Sequence, residues 1–226
     1  MNEPAPLVFV VDDDASFLAA VARLLRASGF VAKTFGSAAE FLAWPELDLP
    51  GCVLADLQMP GLSGLDLQDA LAKAGHTLPV IFLSGHGDVP TTVRAMRRGA
   101  EDFLTKRAPK EELLAAVKRA LARDARERAE HARLEALRAP FATLTPRERE
   151  VLAHVLTGQL NKRIADDLGI DERSVKRHRA SIMTKLRVQS VAELTHLVQE
   201  ADLWDWSSLA GNQRSLISGY ARPTRP

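Results

Sequence analysis

Four short apolar runs in this chain each stop at a polar residue with its own chemistry, and that pattern restricts the fold more than anything else in the sequence. Leu7–Val11 stops at Asp12-Asp13-Asp14, residues 52–55 stop at Asp56, residues 80–83 stop at Ser84, and residues 102–105 stop at Lys106. Runs of four or five residues are too short for buried helices and read as buried strands. Between them lie segments of helical spacing. In the first, Phe17, Leu18, Val21, Leu24 and Leu25 recur before Gly29; others cover 38–44 behind Ser37, 64–74, and about 90–98. With Val31–Phe35 as a further strand, strand and helix alternate five times. That alternation predicts an α/β doubly wound domain, a five-stranded parallel sheet with helices on both faces.

In such a sheet, ligands collect at the carboxyl ends of the strands, so Asp12, Asp13, Asp56, Ser84 and Lys106 are expected to converge although they lie far apart in sequence. Clustered carboxylates suit a hard divalent cation such as Mg²⁺ (or Mn²⁺). A lysine and a hydroxyl beside them supply a charge and a hydrogen bond for additional anionic oxygens, as a phosphoryl group needs. Asp56 is then a candidate nucleophile toward phosphorus. Any one of these residues alone reads as a helix cap after a strand; four strand ends agreeing is a stronger signal.

Charge is unevenly placed along the 226 residues. Residues 1–106 carry 8 Lys and Arg against 13 acids, residues 107–141 carry 9 against 6, and residues 142–203 carry 10 against 9. Any nucleic-acid footprint in the last segment must therefore be local. Cys52 is the one cysteine, which excludes an intramolecular disulfide and a cysteine-based zinc site and reads as a buried structural thiol. Residues 1–6 are too short and polar for a signal peptide, and no apolar run approaches the length of a spanning helix. The expectation is a cytoplasmic protein with no membrane partner.

From 109 to 140 the chain contains no glycine or proline between its limits, and the middle of the segment alternates in charge through Arg123, Asp124, Arg126, Glu127 and Arg128. This predicts a continuous solvated helix, either a rigid linker or a dimerising one. Thr145, Pro146 and Glu148 form a helix-start signature opening a helix over 147–157. Asn161–Leu168, a third helix capped by Asp171 and running to about Arg187, and Val191–Glu200 behind Ser190 follow. The second and third, joined across Gly169, make a helix-turn-helix. On the third, Val175, Ile182 and Leu186 share one face, whereas Arg173, Lys176, Arg177, Ala180 and Thr184 share the other. Residues 171–187 hold six Lys or Arg against two acids, which suits a DNA major groove.

At its strand-end residues the sequence resembles the receiver domain of two-component response regulators, and Gly85-His86-Gly87-Asp88-Val89-Pro90 resembles the FixJ type. The resemblance implies Asp56 as phosphoacceptor, Asp13 as a direct metal ligand, Asp12 as a ligand through water, and Gln58 as a ligand through its backbone carbonyl. Ser84, Lys106 and the strand aromatic Phe103 match switch positions. One departure stands out: such receivers follow the lysine with a proline in a cis peptide, whereas this chain reads Lys106-Arg107-Ala108-Pro109, for which a trans bond or a reshaped loop is expected.

Residues 144–203 resemble the LuxR/FixJ-type output domain, through Leu144-Thr145-Pro146-Arg147-Glu148, Asn161-Lys162 and Ser174-Val175-Lys176-Arg177-His178-Arg179. By position, Lys176, Arg177 and Ala180 would face bases, and Asn161, Lys162, Ser174, Arg179 and Lys185 phosphates. The organisation so implied is a receiver over 1–121, a helical linker over 122–141, an all-α four-helix DNA-binding domain over 142–203, and a flexible tail over 204–226 holding Trp204, Trp206 and Tyr220. Implied partners are a cognate histidine kinase, double-stranded promoter DNA, RNA polymerase and, on activation, a second copy of the chain. The unphosphorylated protein is expected to be mainly monomeric and to bind DNA more weakly than its output domain alone. A regulator that binds DNA constitutively because of the altered Lys106-Arg107 loop is one alternative; a phosphatase-like enzyme using Asp56 is another.

Overall fold

The computed structural model describes residues 5–85 and 89–203, with backbone alone at 89–91; the expectations for 204–226 and for His86, Gly87 and Asp88 lie outside the described residues. The described residues fall into two compact units that divide between residues 129 and 130.

In the first unit, β1 (Leu7–Val11), β2 (Val31–Phe35), β3 (Gly51–Asp56), β4 (Val80–Ser84) and β5 (Asp102–Thr105) form one parallel sheet in the order β2-β1-β3-β4-β5. This is the five-stranded doubly wound sheet that the alternation predicted. The period of two along β1 divides the core: Phe9 and Val11 point to one face, Val8 and Val10 to the other. α2 (Ala38–Leu42), α3 (Gly64–Lys73) and α4 (Val89–Arg97) connect the strands, with Phe41, Leu67 and Leu71 buried beside Phe9. α1 (Ala15–Ala27) and α5 (Lys110–Ala142) bring Leu25, Leu113 and Val117 against Val8 and Val10. β3 is buried along its whole length, which accounts for its continuous apolar run.

Register places the site. Val11 lies opposite Ala55, Asp56 opposite Leu83, and Ser84 opposite Thr105. The residues just past β1 and at the ends of β3 and β4 therefore stand level along one edge of the sheet, and Lys106 follows directly after β5.

Two helix ends differ from the sequence reading. α2 stops at Leu42 because Pro45 disfavours helical backbone at Trp44, whose N–H returns to the Phe41 carbonyl. α5 runs through Pro140 and ends at Ala142. A proline removes one helical hydrogen bond and crowds the preceding turn. Here the last turn is held from outside: Phe141 is buried in the second unit's core, and the Thr143 amide and hydroxyl donate to the Pro140 carbonyl at 3.1 and 2.7 Å. The described residues contain no cis peptide bond, so the Lys106–Arg107 bond is trans, as expected.

In the second unit, α6 (Pro146–Leu156), α7 (Asn161–Leu168), α8 (Glu172–Leu186) and α9 (Val191–Glu200) enclose Phe141, Leu152, Ile164, Val175, Ile182 and Leu194. The Thr145–Glu148 capping box opens α6. Gly169, at φ 62°, ends α7 in the left-handed conformation that glycine adopts without a Cβ clash. Among the described residues no helix is long and apolar enough to cross a membrane.

Candidate functional site

Three carboxylates meet at the carboxyl edge of the sheet. Asp12 and Asp56 are buried and Asp13 is exposed, and each has an oxygen within 4.8 Å of the others. The acid triplet divides its work. Asp14 caps α1, its Oδ1 accepting from the Ser16 and Phe17 amides at 2.8 and 3.1 Å, while its own N–H donates to Asp12 Oδ1 at 2.9 Å. The loop after β3 is tied down in the same manner, with the Gln58 amide donating to Asp56 Oδ1 at 3.2 Å.

Lys106 closes the site. Its Nζ donates to Asp56 Oδ2 at 2.9 Å and forms an ion pair with Asp12 Oδ2 at 2.6 Å. Burial pushes the Asp12 carboxyl above its ordinary value, and the Lys106 ammonium and the Asp14 amide offset part of that rise. Burial works against the charge on Lys106, but its bonds to Asp12 and Asp56 outweigh it and hold the ammonium above its ordinary value. Three carboxylates, two of them buried and each with an oxygen within 4.8 Å of the others, form a hard-oxygen donor set that fits a small divalent cation. Asp12, Asp13 and Asp56 are the side chains that would hold it.

Ser84 is buried at the end of β4, and its carbonyl accepts the Lys106 amide at 2.8 Å. Phe103, half-buried on β5, packs against the core face that carries Phe9 and Phe82. Two further residues support the site without having been read from the sequence as part of it. Gly64, at the start of α3, approaches the backbone so closely that a Cβ there would run into the Asp56 carbonyl oxygen. Phe17 lies under the Lys106 ammonium, its ring centroid 4.7 Å from Nζ. The signal for Gly64 was the dense Pro60-Gly61-Leu62-Ser63-Gly64 turn; Phe17 carried none beyond its place on a helix face.

The second unit carries the other expected site. Arg173, Lys176, Arg177, Ala180 and Thr184 are exposed along one face of α8, opposite buried Val175, Ile182 and Leu186. Lys162 is exposed on α7. Lys176 pairs with Glu172 at 2.9 Å within its own helix. Ser174 is engaged in the α8 cap, where Asp171 accepts from its amide and hydroxyl at 2.8 and 2.7 Å. Arg179 donates to Asn161 Oδ1 at 3.1 Å, fastening α8 to α7. Lys185 turns to the interior side, where Nζ donates to Glu148 Oε2 at 2.7 Å and to the Thr143 carbonyl at 3.1 Å.

Comparison with known proteins agrees with both halves. Residues 8–118 match the response regulator receiver domain family, and residues 142–198 match the luxR family of bacterial regulatory proteins. Nodulation protein W of Bradyrhizobium diazoefficiens is 44% identical over 191 residues, 84% of each chain. The transcriptional regulatory protein FixJ of Azorhizobium caulinodans is 44% identical over 199 residues, 87% of this chain and 93% of that one. Among solved structures, the response regulator StyR is 43% identical and superposes with a TM-score of 0.75 over 87% of this chain and all of that one. A receiver fold with acids and a lysine at its strand ends, followed by a helix-turn-helix unit with a basic face, places the chain among the two-component response regulators of the FixJ/LuxR type, DNA-binding regulators of transcription.

Proposed function

We propose that Asp56 is the residue phosphorylated, that a histidine kinase is the donor, and that phosphorylation raises occupancy of promoter DNA by α8. The observation that carries this reading is the Lys106 ammonium bridging Asp56 and Asp12 at 2.9 and 2.6 Å, beside a third carboxylate. An Asp56 oxygen attacks phosphorus, the P–N bond of the donor phosphohistidine breaks, and the product is an acyl phosphate. Lys106 offers its charge to the phosphoryl oxygens, and the Ser84 hydroxyl offers a hydrogen bond from β4. Asp13, Asp56 and the Gln58 backbone carbonyl, with Asp12 through water, would hold Mg²⁺ or Mn²⁺, which would supply charge neutralisation for the transfer. Phe103 responds as the side chain that repacks on activation.

On α8, Lys176, Arg177 and Ala180 face base edges, with Arg173 on the same exposed basic face, while Asn161, Lys162, Ser174, Arg179 and Lys185 act on the phosphate side, the last through its hold on Glu148. Activation pairs two copies of the chain on DNA and presents them to RNA polymerase in the cytoplasm. Asp56→Asn tests the assignment: acid-labile, Mg²⁺-dependent labelling by acetyl phosphate should vanish. Undiminished labelling of that variant would remove it.

A further inference from the structure

We propose that Phe17 is a positioning residue for Lys106, its ring serving as the platform that keeps the ammonium between Asp12 and Asp56. The inference rests on the reading of Asp56 as phosphoacceptor and adds a residue that the strand-end set does not contain. Lys106 Nζ lies 4.7 Å from the Phe17 ring centroid, inside the range of a cation–π contact. The same atom is 2.6 Å from Asp12 Oδ2 and 2.9 Å from Asp56 Oδ2. Among the described residues, two carboxylates and this ring face the ammonium, and the ring is the uncharged group.

A platform is useful to the lysine because its four-carbon stem is flexible. Its backbone is held at the amide by the Ser84 carbonyl at 2.8 Å, and the chain turns at once, the Ala108 amide donating to the Thr105 carbonyl at 2.9 Å. Arg107 follows, exposed. Phe17 is anchored at its backbone amide. Asp14 accepts its amide at 3.1 Å and donates to Asp12 at 2.9 Å, so the metal-side carboxylate, the helix cap and the ring belong to one tethered segment. The sequence Asp12-Asp13-Asp14-Ala15-Ser16-Phe17 thus supplies both the acids and the platform for the cation facing them.

Phe17 is half-buried and borders a groove beside Leu24, Ala108 and Leu113, so packing is the competing explanation. A packing role is satisfied by leucine; a platform needs a π face. The platform also suits the reaction. When the ammonium turns from the Asp56 carboxylate toward phosphoryl oxygens, the ring keeps hold of it without occupying any acceptor that the phosphoryl group or a cation requires.

The test compares full-length wild type, Phe17→Leu, Phe17→Tyr and Asp56→Asn. The first readout is the NMR shift of the Lys106 ε-methylene protons, which a ring above or below moves upfield. The shift should be present in wild type and Phe17→Tyr and lost in Phe17→Leu. The second is the rate of Asp56 labelling by acetyl phosphate with Mg²⁺, a donor too small to need a docking surface. Phe17→Leu should be slower by roughly 3- to 30-fold and Phe17→Tyr close to wild type. An unshifted wild-type methylene, a Phe17→Leu variant labelled at the wild-type rate, or a Phe17→Tyr variant as slow as Phe17→Leu would each overturn the proposal. So would a loss confined to labelling by a kinase, which would make Phe17 a docking residue. Wild type that resists labelling while keeping the shifted methylene would instead refute the phosphoacceptor reading, and Phe17's role with it.

Discussion

Carboxylates of one chemical type are set to different tasks by their surroundings, and Glu148 shows this as clearly as the metal-site acids do. Its Oε1 accepts from the Ser181 hydroxyl at 2.6 Å, and its Oε2 from Lys185 Nζ at 2.7 Å and the Thr145 amide at 2.8 Å. Burial raises its pKa, but these donors outweigh burial and bring it from 4.5 down to about 2. Because folding depresses this pKa, the associated stability is fully present above about pH 4.5 and is lost as pH falls through about 2. The amount is on the order of 3 kcal/mol. Denaturant titrations of residues 130–203 should show this loss, and Glu148→Gln should flatten the dependence in that window; an unchanged slope would assign the acid sensitivity to other groups. The sequence displayed Glu148 as the partner of an N-cap, since a capping box is a local signal. Its bonds to Ser181 and Lys185 join α6 to α8 across more than 30 residues, and no local pattern announces that. The same reasoning explains Lys185, whose basic character suggested phosphate while its bonds run to Glu148 and Thr143.

Among the elements, α5 departs most from what periodicity conveys. Alternating charges along 123–128 read as a solvated face, yet Asp124 is buried. Its Oδ2 accepts the Gly51 amide at 2.9 Å, Arg128 Nε bonds both its oxygens at 2.9 Å, and the Arg128 guanidinium also donates to the Asp48 and Leu49 carbonyls at 2.8 and 3.0 Å. The helix is thereby stitched to the start of β3, at the opposite edge of the sheet from Asp56. Arg128→Ala would leave Asp124 buried beside a single amide donor, at a cost of about 2–3 kcal/mol in the first unit. Arg126→Ala, on the exposed side, should stay within about 0.5 kcal/mol. Urea titrations of both variants check this; equal effects would mean that the buried pair contributes nothing. At its other end α5 sends Leu137 and Phe141 to the second unit's core, and Arg138 Nε donates to the Ala201 carbonyl at 2.9 Å. A DNA-binding fragment begun at residue 144, where the sequence motif starts, lacks Phe141 and should be less stable than residues 130–203 by about 3 kcal/mol. Calorimetry of the two fragments measures the difference, and equal stabilities would contradict the role given to Phe141. Motif boundaries follow side-chain patterns; core boundaries follow contacts, and Pro140 hid this one by resembling a stop.

For the whole molecule, the parallel sheet and the helix-turn-helix were legible in the chain because both rest on local periodicity and strong stop signals, and the strand ends were legible because parallel register aligns them. Arrangements that depend on one side chain meeting another from a distant element, Phe17 under Lys106 or Gly64 against Asp56, needed the fold. The central claim is that a phosphoryl group on Asp56 controls DNA binding by α8. It is tested most directly by titrating promoter DNA with the full-length protein at one fixed salt concentration, before and after treatment with acetyl phosphate and Mg²⁺, with Asp56→Asn alongside and sedimentation reporting the oligomeric state. The account predicts a mainly monomeric protein that becomes dimeric and binds at least about fivefold more tightly after treatment, while Asp56→Asn stays at the untreated affinity. A stable dimer with the same affinity before and after treatment would contradict it.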